Sequence, residues 1–272
     1  MGPGIDKLSQ CTTALQHWFW INSLLLNPDK SDVAFYGTRP GLKRVDPINS
    51  VTLAGCTISI SDRLKILGIT LDATLSFDEH IATVVKACNY YLRALRHIRR
   101  CITQDIASTI ACSIIGSRID YCNGLLFGAS GKALNRLQRV QNNLARAVFD
   151  IGIRKLHDSG RRSFDLLREL HWLPVQAIVT YKVALLCFKC YKLGVPTYLS
   201  SLLEQYRPTR SLRSSSLDIL SVPRSITKTA SRRFSTAAPS VWNSLPATIR
   251  AASNVGSFRL QLKTHLYHLS FD

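Results

Sequence analysis

The chain has 272 residues, of which 46% are hydrophobic and 19% charged. That is enough apolar material for one large or two modest domains with real cores, and too much for a disordered chain. Lysine and arginine number 35 against 17 acids, a net charge of +18, which points to a polyanionic partner because phosphate contacts by these side chains release counterions.

The charge is also local. Between Gln205 and Phe271 the only acid is Asp218, against ten bases. A membrane surface attracts the same charge, but no apolar run is long enough to span a bilayer, about 18 residues. The most apolar stretch, Ile178 to Val195, is broken by Lys182, Lys189 and Lys192, so no membrane partner is expected. The first residues show neither the basic start nor the apolar segment of a secretory signal. The eight cysteines are scattered among apolar neighbours, as buried reduced thiols would be. Both features predict an intracellular location, nuclear or cytoplasmic.

In chain order, Lys7 to Leu26 reads as a helix, with Leu8, Cys11, Leu15, Trp18, Phe19 and Leu25 near helical spacing, stopped by Asn27-Pro28-Asp29. Ser31 to Tyr36 alternates as a strand and Gly41 to Pro47 reads as a loop. Short strands follow at Val51–Leu53, Thr57–Ile60 and Leu64–Leu71, around Gly55 and Asp62. This α+β unit is too small to bury a core of its own. From Leu75 the pattern becomes helical. Ser76 to Glu79 has the form of a capping box, and the helix it opens, to about Arg99, sets Ile81, Val84, Val85, Cys88, Leu92 and Leu95 on one side. Further helices are expected over Thr103–Ile119, with Ile106, Ile110, Ile114 and Ile115 as its apolar residues, and over Lys132–Phe149, Arg161–Leu170, Gln176–Leu193 and about Val255–Leu269. Arg207 to Arg233 reads as an extended, mobile connector rich in serine and arginine.

Two groups of cations are candidates for contacts to a nucleic-acid backbone. Lys132, Arg136, Arg139, Asn143 and Arg146 are spaced four, three, four and three residues apart, which makes one polar stripe opposite Leu134, Leu137, Gln141, Leu144 and Val148. Such a stripe can follow phosphates without reading bases; a merely solvated helix face would look the same. Arg93, Arg96, Arg99 and Arg100 crowd the end of the preceding long helix beside His97. Cations there favour the helix dipole, but four exceed what capping requires. Cys187-x-x-Cys190 is a single pair without a second pair to complete a zinc site, so buried thiols are expected. No G-x-S-x-G, P-loop or H-E-x-x-H occurs, and no carboxylates pair up for two-metal chemistry.

Four blocks carry a resemblance. Trp20-Ile21-Asn22-Ser23-Leu24-Leu25-Leu26-Asn27-Pro28-Asp29-Lys30-Ser31-Asp32 is similar to W-x-x-x-N-x-L-x-L-N-P-x-K-T-E once Trp18 is paired with Asn22, with Ser31-Asp32 replacing Thr-Glu. Leu67-Gly68-Ile69-Thr70-Leu71-Asp72, then Leu75-Ser76-Phe77 and His80-Ile81, match L-G-V-x-L-D, L-S-F and H-I. Leu170-His171-Trp172-Leu173-Pro174-Val175, with Pro196 and Tyr198-Leu199, form the third block. The fourth is Phe234-Ser235, Ala238-Pro239-x-x-Trp242-Asn243-x-Leu245-Pro246, Phe258 and Leu262-Lys263-Thr264-His265-Leu266. Together and in this order they resemble LINE-type (non-LTR) retrotransposon reverse transcriptases, particularly the jockey-like group.

The resemblance implies a mainly α chain with a small N-terminal α+β fragment: residues 1–74 the end of a polymerase palm, 75–150 a helical thumb, 151–206 a helical C-terminal region, 207–233 the basic connector and 234–272 a helical tail. It assigns Lys30 to the palm lysine that protonates leaving pyrophosphate, and Leu67 and Gly68 to the primer grip, where glycine lets backbone approach backbone. The parent activity is RNA-directed DNA polymerisation with magnesium held by an Ala-Asp-Asp turn and an earlier Asp. No Asp-Asp pair exists here, so no catalytic residue, metal ligand or cofactor is expected in this chain. The expected partners are RNA and DNA through backbone contacts, and the missing palm in trans. Two other readings stay open: a non-catalytic RNA- or DNA-binding helical module, and a protein-interaction scaffold.

Overall fold

The computed structural model describes residues 3–44, 49–53, 55–207 and 218–272. They are mostly helical, with two small hairpins, and divide into two compact units, Met1–His80 and Ile81–Asp272.

The first unit opens with α1 (Pro3–Ile21). It ends five residues before the expected stop: the Asn22 side chain donates to the Trp18 carbonyl at 2.8 Å, and Ser23 turns left-handed at φ 58°. A 3₁₀ turn, Pro28–Lys30, follows. The expected strand over Ser31–Tyr36 does not form; only Val33 bridges to Ile60. In place of part of the expected loop, α2 (Arg39–Leu42) makes a single turn capped by Thr38; residues 45–48 of that loop lie outside the described residues.

The strands β1 (Ser50–Leu53) and β2 (Cys56–Ser59) pair antiparallel, as do β3 (Arg63–Ile66) and β4 (Ile69–Asp72). The register sets Val51 opposite Ile58. These two buried side chains, with Ile5, Val33 and Ile60 packed around them, are the core of the first hairpin. By contrast Trp18, Trp20, Ile21 and Leu25 of α1 and its exit remain exposed. The unit buries little, as its size predicts.

After β4 the chain is locked by Asp72. Its carboxylate accepts from the Thr74 hydroxyl at 2.6 Å and from the backbone N–H groups of Ser76 at 3.0 Å and Phe77 at 2.8 Å. Burial pushes this carboxyl up, but the hydrogen bonds outweigh it and bring its pKa down to about 2. Phe77, at φ 61°, is held in the left-handed region by this clamp. A depressed carboxyl stabilises the fold above its unfolded value and loses that effect as pH falls through its folded value. Asp72→Asn should therefore lower the melting temperature at neutral pH, and the gap to wild type should close as pH falls from about 4 toward 2, followed by circular dichroism.

The second unit is built around α9 (Val175–Leu193), which buries Val175, Val179, Val183, Ala184, Cys187, Phe188 and Cys190. Mostly apolar, it must be largely enclosed by other elements. Around it lie α6 (Gly131–Val148), α12 (Phe234–Ser244), α14 (Val255–Phe271) and the 3₁₀ segment Asn123–Leu126. The lysines that break its apolar run do not enter the core: Lys182 pairs with Asp120 at 2.6 Å, Lys192 pairs with Asp218, and Lys189 is exposed. Gly194 ends the helix at φ 70°, where an L side chain would be strained. Both thiols of Cys187-x-x-Cys190 are buried, and burial pushes Cys187 up to about 12.

The earlier helices are α3 (Asp78–Ile98) and α4 (Gln104–Ile110). A π-helical stretch, Ala111–Gly116, joins α4 to α5 (Ser117–Asp120). The buried side of α3 is the expected one, led by Ile81, Cys88, Leu92 and Leu95. The next helix turns differently. Ile106 and Ile114 are exposed, and Ala107, Ala111, Ile115 and Ile119 are buried, because the smaller alanines allow closer helix approach. Between α6 and α9 lie α7 (Ile153–Asp158), which the sequence pattern did not show, and α8 (Ser163–Glu169). Gln141 and Gln138 fasten α6 to the start of α9: Gln141 donates to the Leu173 carbonyl at 2.8 Å, and Gln138 accepts from Val175 N–H at 2.9 Å.

The tail packs rather than trails. After α10 (Thr197–Ser200), residues 208–217 of the expected connector lie outside the described residues. Beyond them, Leu220 is 1% exposed and bridges to Gln205. Asn243 grips Leu220 on both sides, accepting from its N–H at 2.9 Å and donating to its carbonyl at 2.8 Å. The Trp242 indole donates to the Asp218 carbonyl at 2.9 Å, as does the buried guanidinium of Arg250. Of the connector expected over Arg207–Arg233, residues 218–221 are docked and residues 222–228 are exposed; α11 (Lys228–Ser231) follows, with Arg232 donating to the Phe127 carbonyl at 3.1 Å. After α12, the short α13 (Ala247–Arg250) leads to α14. Phe188 stacks on Phe258 at 4.3 Å, and Trp242 lies 6.4 Å and 6.0 Å from the two rings. Trp242→Ala should cost about 3–5 kcal/mol of stability in a denaturant titration, the range for emptying a buried aromatic site. Asn243→Ala should cost about 1–3 kcal/mol, the penalty for leaving the Leu220 backbone groups unpaired.

Candidate nucleic-acid interface

The two groups of cations singled out by spacing meet in space. The C-terminal ends of α3 and α6 border a cleft of about 630 Å³ lined by Arg96, His97, Arg100, Arg146, Asp150 and the turn Ile151–Ile153. Three guanidinium groups thus face one carboxylate. Arg146 is half-buried and hydrogen-bonded to the Asn143 side chain. Burial, and then the neighbouring charge of Arg96, press its pKa downward. Arginine does not give up its proton in proteins, so Arg146 stays charged, with burial and then the Arg96 charge opposing it. An anion in the cleft would relieve this opposition.

Arg99 has another duty. Its Nε donates to the Val148 carbonyl and one terminal nitrogen to the Ile102 carbonyl, both at 2.9 Å. It ties the end of α3 to the last turn of α6 and so sets the two walls of the cleft. Spacing alone could not separate Arg99 from Arg96 and Arg100, which lie on the exposed side of the same helix end.

The rest of the α6 stripe runs away from the cleft. Lys132 and Arg139 are exposed and Arg136 is half-buried. From Lys132 to Arg146 the stripe covers about 21 Å at the helical rise of about 1.5 Å per residue. Arg93 is exposed on α3. Asp150, the acid in the cleft, was missed by pattern reading. It follows the last turn of α6 with φ 50°, while the next residue, Ile151, donates to the Arg146 carbonyl at 3.0 Å. The Asp-x-Gly step after a helical pattern is the signal that could have marked it.

The first unit holds the remaining candidates. Lys30 is exposed at the end of its 3₁₀ turn. Leu67 and Gly68 are the two central residues of the β3–β4 hairpin, with φ 47° and 82°. Positive φ at both positions is the geometry that best matches strand twist in a two-residue turn; it suits Gly68 and leaves Leu67 strained and 83% exposed. Among the described residues no three His, Cys, Asp or Glu side chains gather as metal ligands would. No described helix is long and apolar enough to cross a membrane.

Comparison with curated proteins finds a similarity to the probable RNA-directed DNA polymerase from transposon BS of Drosophila melanogaster. The two are 28% identical over 149 residues, covering 53% of this chain and 16% of that protein. The chain therefore corresponds to a small part of that relative. No protein-family profile and no solved structure matches.

The cleft separates two kinds of arginine. Arg99→Gln should lower the melting temperature, because two carbonyls lose their donor. Arg96→Gln should leave stability within about 0.5 kcal/mol of wild type, as exposed substitutions do; thermal denaturation of both variants checks this.

Proposed function

We propose that this chain is the C-terminal part of a retrotransposon RNA-directed DNA polymerase of the LINE type, jockey-like group, and that it holds nucleic acid by its backbone. The single observation that carries the binding reading is the cleft in which Arg96, Arg100 and Arg146 converge with one opposing carboxylate. The similarity to the transposon BS polymerase over about half of the chain supports the family. In this reading the first unit corresponds to the end of the palm and α3 to α6 to the thumb. The hairpin turn Leu67-Gly68 is the primer-grip turn, and Lys30 is the palm lysine that protonates pyrophosphate.

The mechanism of binding follows from the residues. The guanidinium groups of Arg96, Arg100 and Arg146 take phosphate oxygens at the cleft, with Arg99 holding its walls at a set distance. Arg93, Lys132, Arg136 and Arg139 extend the positive surface along the two helices. None of these groups reads base edges, so the expected binding is indifferent to sequence.

Labelled RNA and duplex DNA titrated at about 50 and about 200 mM salt test this, because a backbone binder loses affinity with a slope near 0.9 for each phosphate neutralised. Arg96→Gln with Arg100→Gln should reduce that slope by about one for each phosphate no longer held, and should weaken RNA and DNA alike. A slope unchanged by both substitutions would exclude the cleft as the binding surface. Polymerisation belongs to the parent enzyme, since this sequence has no Asp-Asp pair. Primer extension by this chain with magnesium, template and nucleotides should not rise above a buffer control.

A further inference from the structure

A second cavity, away from the arginine cleft, has a different character. It measures about 560 Å³ and is bordered by the π-helical stretch, α6, α9, α14 and the turn that carries His171-Trp172-Leu173. That volume is in the range of pockets that enclose small ligands. Its inner walls are apolar: Ile119, Leu144, Leu173 and Ile178. Two aromatic side chains, Trp172 and Tyr181, join them. The cations stand at the edge. Lys182 is neutralised by Asp120, but among the described residues neither Arg259 nor Lys263 enters an ion pair.

The aromatic groups are held in place. The Tyr181 hydroxyl accepts from Arg259 Nε at 3.3 Å. Gln141, 5% exposed, donates to the Leu173 carbonyl behind the wall, so the turn bearing Trp172 is fastened to α6. One wall is a π-helical stretch, an irregularity that costs helical hydrogen-bond geometry and recurs at binding sites.

An apolar chamber with an anchored indole and two uncompensated cations at its rim matches one ligand chemistry: a flat heterocycle joined to a phosphate. We propose that this pocket binds a single nucleotide, its base among Trp172, Leu173 and Ile178 and its phosphate between Arg259 and Lys263. A base in a duplex cannot enter, since both its faces are stacked and its edge is paired. The source is either a free nucleotide or an unpaired base in a strand. The site does not depend on the arginine cleft, which contacts phosphates and encloses no base.

The test uses the full chain and 2-aminopurine, whose fluorescence falls when it stacks on an aromatic ring. Three probes are titrated: 2-aminopurine riboside monophosphate, a short single strand with one internal 2-aminopurine, and the same strand fully paired. The expected result is saturable quenching of one or both of the first two probes and none of the duplex. Quenching of the monophosphate identifies a free-nucleotide site, and quenching of the single strand alone identifies an unpaired-base site. Trp172→Ala should weaken binding roughly tenfold or more, as loss of a stacking partner does. Arg259→Gln with Lys263→Gln, both exposed, should weaken it while leaving the melting temperature unchanged. Should Trp172→Ala fail to fold, this double variant decides. No saturable quenching of either unpaired probe, or equal affinity in wild type and the double variant, overturns the proposal. Because the monophosphate has no strand for the arginine cleft to hold, its result is read separately from the salt titrations of RNA and duplex.

Discussion

The second unit depends on enclosing a helix that is mostly apolar. α9 buries apolar residues along most of its length and leaves Gln176, Lys189 and Lys192 exposed, so it is stable only where neighbours cover its apolar surface. α6 covers one part and the tail helices α12 and α14 cover others. The stack of Phe188 on Phe258, with Trp242 beside it, closes that contact. Leu173 and Leu266, far apart in the chain, thus share one core.

Two of the tail's ten cations are taken up by the fold itself. Arg250 and Arg232 do not face solvent as a uniform basic surface would. Arg250 donates to the carbonyls of Leu245 and Asp218, and Arg232 to that of Phe127. Asp218, the one acid between Gln205 and Phe271, sits where Lys192 and Tyr191 converge. Burial would raise its carboxyl, but these partners bring it below the ordinary range, while burial and then Asp218 push Tyr191 up to about 12. A basic tail with one acid therefore uses that acid as an anchor. Net charge counts all arginines alike, whereas hydrogen bonding separates those that hold the fold from those that meet a partner.

That distinction runs through the candidate interface as well. Arg96, Arg100 and Arg146 border a cleft, and Arg99 between them serves the backbone. The motif blocks divide in the same way. Trp242 and Asn243 carry the docking of the 218–220 segment, and Leu173 and Val175 carry the junction of α6 and α9. These are packing and hydrogen-bonding roles, so such blocks can persist in a sequence without any part in chemistry.

Local sequence was enough to mark the long helices α3, α6, α9 and α14 and the cationic stripe, whereas the turn at Leu67-Gly68 came only from the resemblance. The helices and the stripe are written in periodicity, which neighbouring residues enforce among themselves. The lack of an Asp-Asp pair is equally plain from the residues alone. Long-range packing settled the rest: Val33 bridges to Ile60 and forms no strand, and Ala107 rather than Ile106 faces inward in α4. Packing also docked residues 218–221 of the expected connector and brought the ends of α3 and α6 together. Those outcomes depend on partners far away in the chain, such as Asn243 for Leu220 and Val148 for Arg99. No local pattern records a partner's distance, and so the cleft could be suspected residue by residue but not assembled.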